Sequence, residues 1–162
     1  MKNRKLDIRN IQKEELEFFF LQQNLPKFRA SQVLEWIWKH RELNFDKMTN
    51  LSIKDRDRLK NSFIFHPIKI KQKNKSIDGT IKFLFELHDG KVVEGVLIPQ
   101  LNRLTACISS QVGCNVNCDF CATGKMGLSR NLLTGEIIDQ AIAIRELVKT
   151  PITNVVYMGM GE

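Results

Sequence analysis

The sequence predicts an α/β protein that begins with a small all-helical domain. Residues 1–66 contain three short amphipathic patterns with helical spacing. Residues 67–99 then show alternating strand patterns, and residues 100–162 show a strand, a long loop, a helix and a second strand. The strand–helix–strand order of residues 100–162 is that of a βαβ unit. We therefore expect a basic three-helix domain, then a linker with an antiparallel hairpin, and then the first βαβ portion of a parallel α/β core.

The three helices of the first segment are expected at 11–23, at 30–41 and from Ser52, an N-cap candidate, to about residue 62. Trp36 and Trp38 lie on the second helix. They could stack on nucleobases, but tryptophan at helical spacing favours core packing.

Lysine alternates with other residues along 69–75, where the sequence is KIKQKNK. This pattern is typical of an edge strand or a linker, because exposed lysines discourage pairing with another chain. A solvated edge and a phosphate-contacting surface both remain open for this segment.

Asp89-Gly90 lies between two strand patterns, 80–87 and 91–98, and predicts an antiparallel hairpin. Alternation places Glu94 on one face with aliphatic neighbours, where an unpaired carboxylate would cost free energy. The strand pattern alone favours an outward glutamate with no special role.

Residues 104–109 read as a strand and residues 154–158 as a short buried strand, with a helix between them. Thr134 is the expected N-cap of this helix, which should run from Glu136 to about Lys149. The two strands must be parallel, and the crossover should be right-handed.

Three of the four cysteines, Cys114, Cys118 and Cys121, fall within eight residues directly after the first of these strands. Disulfide pairing would leave one of the three thiols over, and the N-terminus has no signal-peptide pattern. Structural zinc would need a fourth ligand, for which Cys107 is the candidate. Three thiolates also suit an iron–sulfur cluster, and on a four-iron cube they would leave one iron open to a substrate.

The net charge of +7 is carried entirely by the first part of the chain. Residues 1–75 contain 18 Lys and Arg against 9 Asp and Glu, whereas residues 76–162 contain 7 against 9. A one-sided basic field favours binding to a polyanion such as nucleic acid, although a solvated basic surface would give the same charge distribution.

No apolar run approaches the length of a membrane span, so we expect no membrane association and a cytoplasmic location.

The cysteine spacing C-x3-C-x-F-C, with Phe120 before the last cysteine, resembles the signature of radical S-adenosylmethionine (SAM) enzymes. The resemblance implies a partial TIM-type barrel that begins in this chain. It also implies a 4Fe-4S cluster on Cys114, Cys118 and Cys121, whose open iron chelates the cofactor. Gly161 and Glu162, in the glycine-rich turn after the second parallel strand, would contact SAM.

Further stretches resemble the RlmN-type family, which methylates carbon-2 of adenosine in 23S rRNA and tRNA. These stretches, in order, are FRASQ at 28–32 with Trp36-Ile37, FDKMTNLS at 45–52, VEGVLIP at 93–99, CISSQVGC at 107–114, ATG at 122–124, RNL at 130–132 and MGMGE at 158–162. The resemblance covers nearly the whole chain.

The resemblance implies two catalytic residues. Glu94 would be the proton acceptor, against the strand-based interpretation, and Cys107 would resolve a covalent protein–RNA intermediate through a transient disulfide. One SAM molecule would methylate a cysteine, and another would be cleaved to a deoxyadenosyl radical, with electrons from a flavodoxin- or ferredoxin-type donor.

The family's methyl-carrying cysteine has no counterpart, because no cysteine follows Cys121. We therefore expect residues 1–162 to be the N-terminal half of an enzyme, inactive as an isolated polypeptide. The alternatives are the sister Cfr-type family, which methylates carbon-8 of the same adenine, and a non-enzymatic RNA-binding protein with a structural zinc loop.

Overall fold

The computed structural model describes residues 5–148 and 150–161. The chain divides into two compact units, Met1–Phe65 and His66–Glu162. Within the described ranges, no helix has both the length and the apolar character needed to cross a bilayer.

The first unit is helical, as predicted, with one short parallel strand pair. Its elements are β1 (Leu6–Asp7), α1 (Lys13–Gln22), α2 (Phe28–Trp38), α3 (Ile53–Ser62) and β2 (Phe63–Ile64), and β1 pairs with β2. Ser52 is the N-cap of α3, as predicted: its hydroxyl accepts a hydrogen bond from the Asp55 N–H at 3.1 Å. The core contains Leu16, Phe20, Val33, Ile37 and Leu59.

The two tryptophans of α2 have different surroundings. Trp36 packs against the core of this unit, and its Nε1 donates to Asn50 Oδ1 at 2.6 Å. Trp38 is 39% exposed, so the prediction of core packing holds only for Trp36. Trp38 is the last residue of α2, where the helix ends and less of the core covers it.

The second unit is built on a mixed five-stranded sheet. Its elements are β3 (Lys69–Lys75), β4 (Ile81–Glu86), β5 (Val92–Gln100), β6 (Arg103–Cys107), β7 (Gln111–Gly113), β8 (Leu128–Asn131), α4 (Thr134–Glu146) and β9 (Asn154–Val156). The sheet order is β3-β4-β5-β6-β9, antiparallel except for the parallel pair β6–β9. The predicted hairpin and βαβ unit are confirmed, and 69–75 is an edge strand rather than a linker.

The buried face of α4 contains several polar side chains. Glu136, Asp139 and Gln140 are buried together with Ile144, whereas Arg145 is exposed. Burying polar groups is tolerable here because each has a hydrogen-bond partner: Asp139 Oδ2 accepts from the Ile68 N–H at 3.2 Å. The partners of Glu136 and Gln140 are described below. The helix starts at Thr134, so the N-cap is Leu133 rather than the predicted Thr134.

The strand predicted at 154–158 is present as β9, Asn154–Val156, but the prediction that it is buried is wrong. β9 is short, and it lies at the edge of the sheet, where it pairs with β6 alone among the described strands. Val155 is 48% exposed and Tyr157 is 61% exposed. Pairing with β6 covers one edge of β9. The two faces of the strand are buried only where further elements pack over them.

Candidate cofactor-binding site

The cysteine loop is closed at its base by the antiparallel pair β7–β8. Cys114 directly follows β7, and its N–H donates to the Gly127 carbonyl at 3.2 Å. Gly113 has φ +80°, and a Cβ there would lie 1.9 Å from the Gly127 oxygen. The two ends of the loop can approach this closely only because position 113 has no side chain.

Part of the loop, Cys118 to Cys121, forms a tight turn. Cys114 is buried, whereas Cys118 and Cys121 are partly exposed. The Cys121 N–H donates to the Cys118 carbonyl at 3.0 Å, and Asn117 adopts the left-handed conformation with φ 55°. A Cβ at Gly124 would lie 3.0 Å from the Asn117 Cα, so Gly124 packs directly on the turn.

Backbone N–H groups point at the thiol sulfurs of this loop. The Val116 N–H lies 3.5 Å from Cys114 Sγ. Hydrogen bonding from the Gly124 N–H lowers the pKa of the Cys121 thiol, and Thr123 contributes in the same direction. Since the thiolate is the form that ligates metals, these contacts favour the ligating state.

The three thiols share one loop, but they are not gathered as a finished metal site. Within 5–148 and 150–161, no group of three or more His, Cys, Asp or Glu side chains has metal-binding geometry. The donor chemistry nevertheless fits an iron–sulfur cluster, because all three donors are thiols and the loop supplies N–H groups to sulfur.

The glycine-rich segment after β9 packs on the chain that leads into the cysteine loop. The Gly159 N–H donates to the Ile108 carbonyl at 3.1 Å. The Met160 carbonyl accepts from Ser110 and Gln111 at 2.9 and 3.1 Å. The structure therefore packs the glycine-rich segment, which follows parallel strand β9, against the chain that follows its partner β6.

Close packing explains both glycines in this segment. A Cβ at Gly159 would lie 2.6 Å from Ser109 Oγ, and one at Gly161 would lie 2.5 Å from Gln111 Cβ. Gly161 also has φ +98°, which an L side chain rarely adopts. Glu162, the other residue expected to contact SAM, lies outside the described residues.

Ser109 and Gln140 are functional candidates that the sequence reasoning missed. Both are fully buried, and they form two hydrogen bonds with each other. Gln140 lies on the buried face of α4. The signal for Gln140 in the sequence is a polar residue one helical turn from both Ile137 and Ile144.

Glu94 lies on the less buried face of β5, consistent with the strand pattern. Its carboxylate is 44% exposed and pairs with Lys82 Nζ at 2.8 Å. Its main-chain carbonyl accepts from the Ser109 hydroxyl at 2.6 Å. The backbone of Glu94 is thus tied to the segment between β6 and β7, while its side chain stays accessible.

Cys107, the last residue of β6, is buried, and all four cysteines are free thiols. Burial raises the pKa of Cys107, against an opposing hydrogen bond from the Met158 N–H. The pKa of the Cys107 thiol is therefore raised above the ordinary thiol value, whereas the pKa of Cys121 is lowered below it.

A partly buried charge network fixes β8 to the start of α4. Arg130 donates to both carboxylate oxygens of Glu136, at 2.7 and 2.9 Å, and to Asp89 Oδ2 at 2.9 Å. Glu136 also accepts from the Leu133 N–H at 2.9 Å, and His88 Nδ1 lies 3.3 Å away. The hairpin turn, the far end of the cysteine loop and helix α4 are thereby joined.

The fold and the cysteine loop agree with the class of radical SAM methyltransferases. The crystal structure of a radical SAM methyltransferase from Sphaerobacter thermophilus superposes with a TM-score of 0.76 at 38% sequence identity. The alignment covers 97% of this chain and 47% of that one.

Sequence comparison is more specific. The profile of the ribosomal RNA large subunit methyltransferase N-terminal domain matches residues 6–65. A probable dual-specificity RNA methyltransferase RlmN from Cytophaga hutchinsonii is 54% identical over 159 residues, covering 96% of this chain and 44% of that protein. The corresponding protein of Christiangramia forsetii is 47% identical, covering 100% and 47%. The chain belongs to the RlmN-type family of RNA methyltransferases and spans a little under half the length of these relatives.

Proposed function

We propose that this chain supplies the cluster-binding loop and part of the SAM site of a radical SAM methyltransferase acting on carbon-2 of adenosine in 23S rRNA and tRNA. The observation that carries the proposal is the packing of Gly159–Gly161 against the entrance of the three-cysteine loop. Family membership supports it, since the relatives are named dual-specificity RNA methyltransferases.

Cys114, Cys118 and Cys121 would hold the 4Fe-4S cluster. When bound, the cluster would supply the electron that cleaves SAM to a deoxyadenosyl radical. The β7–β8 pair anchors Cys114, and backbone N–H groups favour the thiolate of Cys121. The partial exposure of Cys118 and Cys121 leaves them accessible for loading.

Gly161 would contact SAM through its backbone, and Glu162 would accept hydrogen bonds from the cofactor's ammonium group. A glycine with no side chain lets a ligand approach the main chain closely. Strands β6 and β9 are parallel, so the chain toward the cysteine loop and the glycine-rich segment leave the sheet at the same carboxyl end. We infer that this βαβ unit begins a partial TIM-type barrel.

Glu94 and Cys107 would act on the RNA adduct. The Glu94 carboxylate is 44% exposed beside Lys82 Nζ, so a substrate proton could reach it. Cys107 would resolve the protein–RNA intermediate through a transient disulfide. Its thiol would first have to lose a proton, because the thiolate is the attacking form, and burial, which raises the pKa of Cys107, opposes that loss. The methyl-carrying cysteine of this scheme is not among the chain's four cysteines, all of which are accounted for.

Residues 1–66 would form the basic accessory domain that binds RNA, since they carry much of the positive excess. A flavodoxin- or ferredoxin-type protein would donate the electrons, and the cytoplasm is the compartment where these partners and the RNA substrates would meet.

Anaerobic reconstitution with iron and sulfide tests the cluster. Iron–sulfur absorption should appear in the unsubstituted chain and in Cys107→Ala, and it should be lost in Cys118→Ala. Cys107→Ala is the matched control because Cys107 lies in β6 rather than in the loop. Stoichiometric zinc without iron, lost in both variants, would instead support the RNA-binding protein with a four-cysteine zinc site.

A further inference from the structure

We propose that Ser109 is a positioning residue that sets the SAM-binding segment against the strand carrying Glu94. The proposal rests on the function proposed above and adds a residue with no chemical role of its own. Ser109 lies between β6 and β7 and is fully buried. Its hydroxyl bridges two segments that are far apart in sequence.

The Ser109 hydroxyl has a donor and an acceptor contact. Its Oγ donates to the Glu94 carbonyl at 2.6 Å and accepts from the Met160 N–H at 2.8 Å. Met160 is the residue between Gly159 and Gly161. A single buried hydroxyl therefore connects β5 to the centre of the glycine-rich segment.

Gln140 of α4 holds the main chain of Ser109 in place. Its Oε1 accepts from the Ser109 N–H at 2.9 Å, and its Nε2 donates to the Ser109 carbonyl at 3.0 Å. The same Nε2 lies 3.2 Å from the Glu136 carbonyl. Because a buried amide or hydroxyl without partners is costly, this fully satisfied arrangement strongly favours one geometry.

The cluster ligands have a separate anchor. Cys114 is held through the β7–β8 pair and the Gly127 carbonyl, and neither contact involves the Ser109 side chain. Loss of the Ser109 hydroxyl should therefore loosen the Met160 segment while the cysteine loop keeps its base. A positioning role thus predicts weaker SAM binding with an intact cluster.

Ser109→Ala is the test, and Ser110→Ala is its matched control. The Ser110 hydroxyl makes no hydrogen bond within the described residues, so its removal costs little. In the anaerobically reconstituted chain, both variants should bind as much iron as the unsubstituted protein. The dissociation constant for SAM, measured from the change it causes in the electron paramagnetic resonance of the reduced cluster, should rise about tenfold in Ser109→Ala alone.

Amide hydrogen exchange of the cluster-free chain gives a second, cofactor-independent readout. Ser109→Ala should accelerate exchange at Met160 and its neighbours, while exchange in β7 and β8 stays unchanged. If Ser109→Ala does not fold, Gln140→Glu is the second variant. It keeps the acceptor for the Ser109 N–H, loses the donor to its carbonyl, and should accelerate exchange at the same amides.

The outcomes separate the two proposals. Equal SAM affinity and equal exchange in Ser109→Ala and Ser110→Ala would overturn the positioning role. Failure of the unsubstituted chain to take up a cluster or to bind SAM would overturn the proposed function, and the exchange data would still decide whether Ser109 holds the Met160 segment.

Discussion

Arg130 donates two hydrogen bonds to Glu136, from Nη1 to Oε2 at 2.7 Å and from Nη2 to Oε1 at 2.9 Å. The Glu136 side chain is only 3% exposed. The pair joins the strand after the cysteine loop to the first turn of α4. Glu136→Gln should lower the free energy of unfolding by about 2 kcal/mol, because it leaves a partly buried guanidinium short of its anionic partner. Glu146→Gln, at an exposed position on the same helix, is the control. Urea unfolding measures both, and equal midpoints would contradict a structural role for the pair.

The same pair makes the fold acid-sensitive. Burial acts to raise the pKa of Glu136, but hydrogen bonds from Arg130 and Leu133 outweigh it, so the pKa is lowered. A lowered folded-state pKa contributes stability that is present above the ordinary glutamate pKa and is lost as pH falls through the folded value. Thermal unfolding between pH 7 and about pH 3 should therefore show a steeper loss of stability in the unsubstituted protein than in Glu136→Gln. Parallel pH profiles would exclude this linkage.

The thiols of Cys121 and Cys107 should differ in reactivity. The Gly124 and Thr123 hydrogen bonds lower the pKa of Cys121, whereas burial raises that of Cys107. Iodoacetamide should alkylate Cys121 at a lower pH and faster than Cys107 in the cluster-free chain, because the thiolate is the nucleophile. Peptide mass spectrometry after timed labelling measures the two rates. Labelling in denaturant should remove the difference, and a persistent difference would assign it to sequence rather than to structure.

Gly113 should be far less tolerant of substitution than Gly90. Both have positive φ, +80° and +78°, but a Cβ at Gly90 meets nothing within 4 Å, whereas one at Gly113 meets the Gly127 oxygen at 1.9 Å. Gly90→Ala should cost about 1 kcal/mol of backbone strain. Gly113→Ala should in addition break the β7–β8 pairing and lower iron uptake on reconstitution. Equal iron content in the two variants would show that this close approach does not support the loop.

The edge strand β3 allows a test of its two interpretations. Lys73 and Lys75 are exposed and have no ion pair among the described residues, whereas Lys71 pairs with Glu86 at 3.4 Å. If these lysines contact RNA phosphates, Lys73→Gln with Lys75→Gln should reduce the slope of log affinity against log salt by up to about 1.8.

The control for this test is Arg103→Gln with Arg145→Gln, which removes the same charge from exposed positions elsewhere in the second unit. Fluorescence anisotropy with a short RNA measures both salt slopes. An unchanged slope in the lysine variant, together with self-association in sedimentation, would show that β3 is a solvated edge that prevents pairing.

Local patterns predicted the elements that depend on local chemistry. Ser52 caps α3 because its hydroxyl reaches an N–H three residues ahead, and Asp89-Gly90 turns the hairpin because glycine adopts positive φ there. The cysteine spacing likewise identified the loop, since its three thiols are close in the chain. For these features the partners lie within a few residues, so the sequence alone carries the information.

Partners far apart in the chain were decided only by the tertiary structure. Ser109 meets Gln140 and Met160, 31 and 51 residues later, and no periodicity marks such a meeting. Val155 was expected to be buried from its apolar pattern, yet it lies on an edge strand, because burial depends on which elements pack over a strand. The sequence by itself determined the cysteine loop and the order of the elements. The tertiary structure decided which buried polar groups hold that loop, Glu94 and the glycine-rich segment together, because hydrogen bonds between distant segments form only once the sheet and α4 have packed.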